Sequence, residues 1–282
     1  MLVLALNLAI TLAEIVGGLI SGSLALISDG LHNASDGVAI VIAWIAMKLQ
    51  AAPRTDRHTF GLGRAQLIAA VINAGTLVAV SIWLFFEAGQ RLLSPEPVSG
   101  GVMIAVAAIG LVANTLGTFL LREGSENNLN LRAAYLHLLS DAVSSLAVIV
   151  GAVAIVLWNV TWVDPVLTFA IGAWVLWESL RILWRAVDQI LLAAPEGLAL
   201  ADVRAAILGT EGVVAVHHTH LWQATEGDIH FEAHIVVPDQ MLTDIDVLRA
   251  RIAEALHEKF EITHPTLQFE AESTDCTTAN LT

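Results

Sequence analysis

Six long apolar runs fill the first two-thirds of the chain, at residues 1–20, 23–49, 66–93, 101–121, 133–158 and 163–187. An α-helix needs about 20 such residues to cross the hydrocarbon of a bilayer, so each run predicts a membrane span. Asp164-Pro165 suits the start of the last one, because Asp can cap free N–H groups and Pro fits the first helical position. Trp158, Trp162, Trp177 and Trp184 fall near span ends, where amphipathic rings favour the interface. The first run has no basic leader and no small-residue cleavage pattern, and reads as a span rather than a signal peptide.

The pattern changes near Pro195. Residues 201–208 have helical character, 213–222 and 228–237 read as strands, 244–260 has helical periodicity, and 266–270 is a short strand. The order αββαβ predicts a small α+β domain. The expected organisation is a membrane all-α, six-helix domain over 1–190, an α+β domain over 195–272 and a polar, disordered tail over 273–282.

Composition sharpens this picture. The chain is 56% hydrophobic and 14% charged. Its 13 Lys and Arg include only Lys48, Arg54, Arg57, Arg64, Arg91, Arg122 and Arg132 before residue 180. With the N-terminus inside, the loop from Lys48 to Arg64 is inside, as are Arg122, Arg132, Arg181 and Arg185, and the outer loops keep only Arg91. The positive-inside rule then places both termini in the cytoplasm. A net charge of −14 argues against a nucleic-acid partner. The lone Cys276 supplies neither a disulfide framework nor a thiolate cluster, which leaves histidines and carboxylates to hold any metal.

Ionisable residues inside a span cost a few kcal/mol or more, so each one raises a functional question. The second run contains Asp29, His32 and Asp36, and the fifth contains His137 and Asp141. His32 and Asp36 are four apart and share a helix face, and His137 and Asp141 repeat the spacing. The wider frame repeats as well, Leu31-His32-x-x-Ser35-Asp36 against Leu136-His137-x-x-Ser140-Asp141. If the faces meet, two imidazoles and two carboxylates form an N/O shell suited to tetrahedral Zn²⁺ and related ions. The bland alternative is a pair of intrahelical hydrogen bonds. Asp29 reads equally as a carboxylate on the ion's route or as an interfacial charge. Asn7, Glu14, Asn73, Glu87 and Asn114 are further polar residues within spans, and such Asn more often join helices.

These residues carry a family resemblance. Glu14-Ile-Val-Gly-Gly, Ser21-Gly-Ser-Leu-Ala-Leu, Ser28-Asp-Gly-Leu-His-Asn-Ala-Ser-Asp36, Arg54-Thr-Asp-Arg-His-Thr-Phe-Gly-Leu-Gly-Arg64, Asn128-Leu-Asn-Leu-Arg-Ala-Ala-Tyr-Leu-His137 and Val216-His-His-Thr-His-Leu-Trp222 occur in order over nearly the whole chain. The chain resembles the cation diffusion facilitators, and within them the zinc/cobalt/cadmium resistance branch. The resemblance implies six transmembrane helices, a cytoplasmic ferredoxin-like, metallochaperone-like domain, a homodimer in a bacterial inner membrane, and metal/proton antiport. It implies that His32, Asp36, His137 and Asp141 are the transport ligands. Manganese-type members carry Asp in place of both His, so His here favours Zn²⁺ over Mn²⁺, with Cd²⁺, Co²⁺ and Ni²⁺ as further candidates.

Two further sites are expected. Iron/zinc-type relatives bind a metal in the first inner loop through an Asp and two His; Asp56 and His58 match, and Leu62 stands where the second His is expected. A solvated basic loop is the alternative. The C-terminal domain holds seven His. Strand alternation puts His218 and His220 on one face, and His230, Glu232 and His234 on one face. The resemblance points to His217, His220, His234, His264 and Glu270 as zinc-type positions, with a surface of scattered His as the alternative. His257 reads as ordinary helix surface.

The expected function is efflux of a divalent cation by alternating access, with protons exchanged for the metal. An imidazole of ordinary pKa, roughly 6.5, can trade Zn²⁺ for H⁺ near neutral pH. No organic cofactor is implied. An intramembrane metalloenzyme would need an open metal position and a base such as HExxH supplies, and the chain has no HExxH. A membrane-anchored metal sensor is the remaining alternative, with the His-rich domain as receptor.

Overall fold

The computed structural model describes residues 2–50, 52–125, 129–225 and 227–273. Of the tail expected over 273–282, all but Ser273 lies outside the described residues. Helices α1 (Leu2–Ser21), α2 (Leu24–Gln50), α3 (Ala65–Leu93), α4 (Gly100–Ser125), α5 (Leu129–Trp158) and α6 (Val163–Ile190) account for the apolar runs. Then come α7 (Leu200–Leu208), β1 (Ala215–Thr225), β2 (Asp228–Val237), α8 (Leu242–Phe260) and β3 (His264–Ala271). The chain divides into two units, Met1–Ile45 with Ala69–Leu183, and Ala46–Ile68 with Trp184–Thr282.

Helices α2 to α6 are each long and apolar enough to cross a membrane. Helix α1 has 20 residues, a length of about 30 Å, and its described part is equally apolar. In the first unit, α4 and α5 pack through small residues. A Cβ on Gly117 would lie 2.8 Å from Leu138 Cδ1, so the glycine lets that side chain close on α4. Met103, Ala107, Val148, Ala152 and Ile155 close on Ala25 and Leu26 of α2. Large side chains such as Phe86, Phe119, Leu120 and Val150 point outward, as a lipid-facing surface requires.

Asp164 does not cap its own helix. Its carboxylate is fully buried and accepts hydrogen bonds from Ser23 Oγ at 2.5 Å, Leu24 N at 2.9 Å and Ala25 N at 3.3 Å. It therefore caps α2, the helix carrying His32 and Asp36, from the start of α6. The backbone N–H groups freed at a helix start need an acceptor, and in a membrane no water stands ready to serve.

In the second unit β2 is central, antiparallel to β1 and parallel to β3. Phe231, Ala233, Ile235 and Val237 point to one side and pack with Val203 and Ile207 of α7 and Leu248, Ile252 and Leu256 of α8. The other side of β2 carries His230, Glu232 and His234. Strand β3 begins two residues earlier than the sequence pattern implies. Pro265 cannot donate to a ladder, but β3 is an edge strand with a free side, so the pairing runs from His230↔His264 onward.

Candidate metal centres

In the first unit the two HxxxD faces meet. His32 Nε2 lies 3.8 Å from Asp36 Oδ2 and 3.8 Å from Asp141 Oδ1. His137 Nε2 lies 3.5 Å from Asp36 Oδ2 and 3.6 Å from Asp141 Oδ2. Each histidine thus faces the carboxylate of its own helix and that of the other, with the two rings edge-on at 6.2 Å. The side chain of Asp141 is only 6% exposed, whereas that of His137 is 42% exposed, so the cluster opens on the His137 side.

Neighbouring polar groups brace this arrangement. Asn73 of α3 donates to Ser35 Oγ at 2.9 Å, next to Asp36 on α2. Ser144 of α5 donates to Asp29 Oδ1 at 2.5 Å, and Asp29 is 3% exposed. Burial removes the reading of Asp29 as an interfacial charge. Glu14 is fully buried and accepts from Asn33 Nδ2 at 2.7 Å.

The second unit carries its donors on the open face of the sheet. Strand β1 has an irregularity between His217, paired with His234, and His220, paired with Glu232. Three residues on β1 span two on β2, so one extra residue is taken up at His218, whose φ is +49°. The extra residue reverses the alternation. His217 and His220, which a regular strand would put on opposite faces, both face the side of His230, Glu232 and His234. His218 enters the same group, its ring 4.9 Å from His220 and 4.8 Å from His234.

Glu270 joins from β3. His234 Nδ1 lies 2.7 Å from Glu270 Oε1, and His217 Nε2 lies 3.3 Å from Glu270 Oε2. Gln268 Nε2 donates to Glu270 Oε1 at 3.0 Å. Of the five C-terminal residues named from the sequence, the structure therefore gathers His217, His234 and Glu270. His220 is exposed beside His218. His264 goes elsewhere, pairing with Asp228 at 2.9 Å because the β2–β3 register sets it opposite His230. Sequence reasoning missed Asp228 and the grouping of His230 with His264. The parallel register that joins them leaves no mark in any single segment. Asp56 and His58 are exposed, and among the described residues neither belongs to a group of three metal-capable side chains. His257 is exposed on α8.

Residues 1–191 match the family model described as the cation efflux transmembrane domain, and residues 195–272 match that of the cation efflux protein cytoplasmic domain. The chain is 37% identical over 267 residues to the metal cation efflux system protein CzcD of Cupriavidus metallidurans, covering 95% of this chain and 84% of that one. It is 38% identical over 262 residues to the zinc transporter ZitB of Escherichia coli, covering 92% and 82%. It is 34% identical over 263 residues to a cadmium, cobalt and zinc/H(+)-K(+) antiporter of Bacillus subtilis, covering 92% and 84%.

Proposed function

This chain belongs to the cation efflux family and is a divalent-metal efflux transporter, and on that premise we propose that its cargo is Zn²⁺, held in transit by His32, Asp36, His137 and Asp141. The four N···O separations of 3.5–3.8 Å carry this reading. A tetrahedral Zn²⁺ with bonds of about 2.0–2.2 Å has ligand–ligand edges of roughly 3.3–3.6 Å. His32, His137 and Asp141 already offer ligand atoms within 4.8 Å of one another, and Asp36, in reach of both imidazoles, has to close toward Asp141 to complete the shell. Imidazole nitrogen with carboxylate oxygen also suits Co²⁺, Ni²⁺ and Cd²⁺, which are secondary cargoes.

The exchange partner is the proton. Metal binding requires a free imidazole lone pair and an ionised carboxylate, so protons and metal compete for the same four side chains. Coupling follows from that competition: metal binds from the cytoplasm, and protons occupy the site on its return. The protein lies in a bacterial inner membrane with both termini cytoplasmic, supported by the basic residues between Lys48 and Arg64 and at Arg181 and Arg185. It works as a homodimer. His217, His234 and Glu270 hold a regulatory Zn²⁺ on the cytoplasmic side. No relative reported above is named as a sensor, and nothing favours that alternative.

The test is Zn²⁺ flux in proteoliposomes driven by an imposed pH gradient. His137→Ala or Asp36→Ala is expected to reduce flux to that of empty vesicles. Flux at the parental rate in either variant would sink the proposed site.

A further inference from the structure

A second group of donors lies on the same sheet face as His217, His234 and Glu270, but at its other end. Asp228 Oδ1 is 2.9 Å from His264 Nδ1 and 3.5 Å from His230 Nε2, and the three ligand atoms lie within 4.8 Å of one another. His230 and His234 are four residues apart on β2, which separates the two groups by about 13 Å. One ion cannot serve both.

The second group has the features of a built site. The His230 side chain is 9% exposed, yet its Nε2 has no hydrogen-bond partner. A buried ring nitrogen facing a carboxylate without a hydrogen bond is a position a cation would complete. The ring is stacked on Trp222 at 5.3 Å and on His264 at 4.7 Å, each pair within 14° of parallel. Asp228 and His264 are both partly exposed, so an ion has access from solvent. Thr263 Oγ1 lies 3.1 Å from His264 Nδ1 and 3.4 Å from Asp228 Oδ1, orienting both.

The segment joining α2 to α3 reaches the same place. The Phe60 ring sits edge-on to His230 at 5.6 Å. A Cβ on Gly63 would lie 2.3 Å from Thr225 Cγ2, so the backbone of this segment rests against the hairpin that presents Asp228. The loop residues Asp56 and His58 contribute no ligand here.

We propose that Asp228, His230 and His264 form a second divalent-cation site of the Zn²⁺ class, and that its occupancy fixes the His230 ring and so holds Phe60 and the segment around it. Two imidazoles and one carboxylate leave the fourth tetrahedral position open to water, which suits a site that equilibrates with cytoplasmic metal. The site stands apart from the transport reading, because bound metal can be counted without any flux.

The test uses the full-length protein in detergent with Asp36→Ala and Asp141→Ala, which empties the membrane cluster. Glu270→Ala then weakens the first sheet site by about ten- to a hundredfold, and the metal is kept at a concentration that leaves this weakened site empty. With Co²⁺ as the probe, one equivalent per chain is expected to remain, with the visible spectrum of a tetrahedral N/O shell. Adding Asp228→Asn or His264→Gln, both at partly exposed positions, is expected to weaken that equivalent at least tenfold. In the background that retains Glu270, the same two changes should leave the other sheet equivalent in place, which shows that the domain still folds. Hydrogen exchange over residues 54–63 should slow on adding Zn²⁺ to the parent and not to Asp228→Asn. No equivalent left after Glu270→Ala, or an unchanged equivalent after Asp228→Asn, overturns the site. Metal-independent exchange in 54–63 overturns the link to Phe60.

Discussion

The membrane cluster and the sheet face use the same chemical vocabulary, yet they are assembled in different ways. In the membrane, each helix delivers a finished pair, His32 with Asp36 and His137 with Asp141, because residues four apart always meet on a helix. On the sheet, His217, His234 and Glu270 come one from each strand and meet only if register and irregularity are right. The surroundings differ as well. Asp36 and Asp141 sit among apolar helices, where an uncompensated carboxylate is expensive and a passing cation is strongly favoured. The sheet donors His217, His234 and Glu270 are also mostly shielded, but they lie in the smaller α+β unit and not among apolar spans, where an empty site is more costly. One arrangement suits a cargo that must come and go; the other suits an ion that reports its own concentration.

The largest expected effect breaks this contrast at its strong side. Asp141→Ala removes the most buried donor and should lower Zn²⁺ flux by about a hundredfold or more, measured with a zinc dye inside proteoliposomes, since a three-ligand remnant gives up much of the shell. Metal bound on the sheet should stay unchanged in the same preparation. Loss of both together would mean the two regions are not separate sites.

The next effect comes from the weaker side. Glu270→Ala removes the carboxylate shared by His217 and His234, and should weaken Zn²⁺ at the sheet by about ten- to a hundredfold in a titration of purified protein. Flux at saturating Zn²⁺ should change by less than about threefold, because this residue belongs to no transport ligand set. A hundredfold fall in flux would make the sheet site part of the transport path.

Asp164→Ala tests what holds the membrane helix in place. It removes the acceptor for Ser23, Leu24 and Ala25 at the start of α2. Leaving such buried donors unpaired costs about 1–3 kcal/mol. Thermal unfolding in detergent should register the loss, while Zn²⁺ binding on the sheet should not.

Much of this was legible in the residues. The six apolar runs, the change of character near Pro195 and the paired LHxxSD frames all follow from local rules of length, composition and spacing. The cap at Asp164 was half legible: the residue type announces a cap, but only packing shows that it serves α2 and not α6. The sheet was legible as elements and not as a site. A strand pattern shows which residues alternate, and it does not show the irregularity at His218 or the register that sends His264 to Asp228 rather than to Glu270. Those are long-range facts, decided by how β2 pairs with both neighbours over its apolar face.

The smallest effect tests that point directly. His218 has a φ of +49°, a conformation that a β-branched residue resists by roughly 1–2 kcal/mol and that glycine accepts freely. If the irregularity sets the metal geometry, His218→Val should return β1 toward regular alternation and turn His217 away from Glu270, with faster hydrogen exchange in β1 and weaker Zn²⁺ binding. His218→Gly loses the same imidazole but keeps the backbone conformation, and should hold Zn²⁺ within about twofold of the parent. The pair separates backbone from side chain. Equal weakening in both would make the His218 ring itself a ligand, and the contrast between the two regions would then rest on one more donor rather than on the shape of a strand.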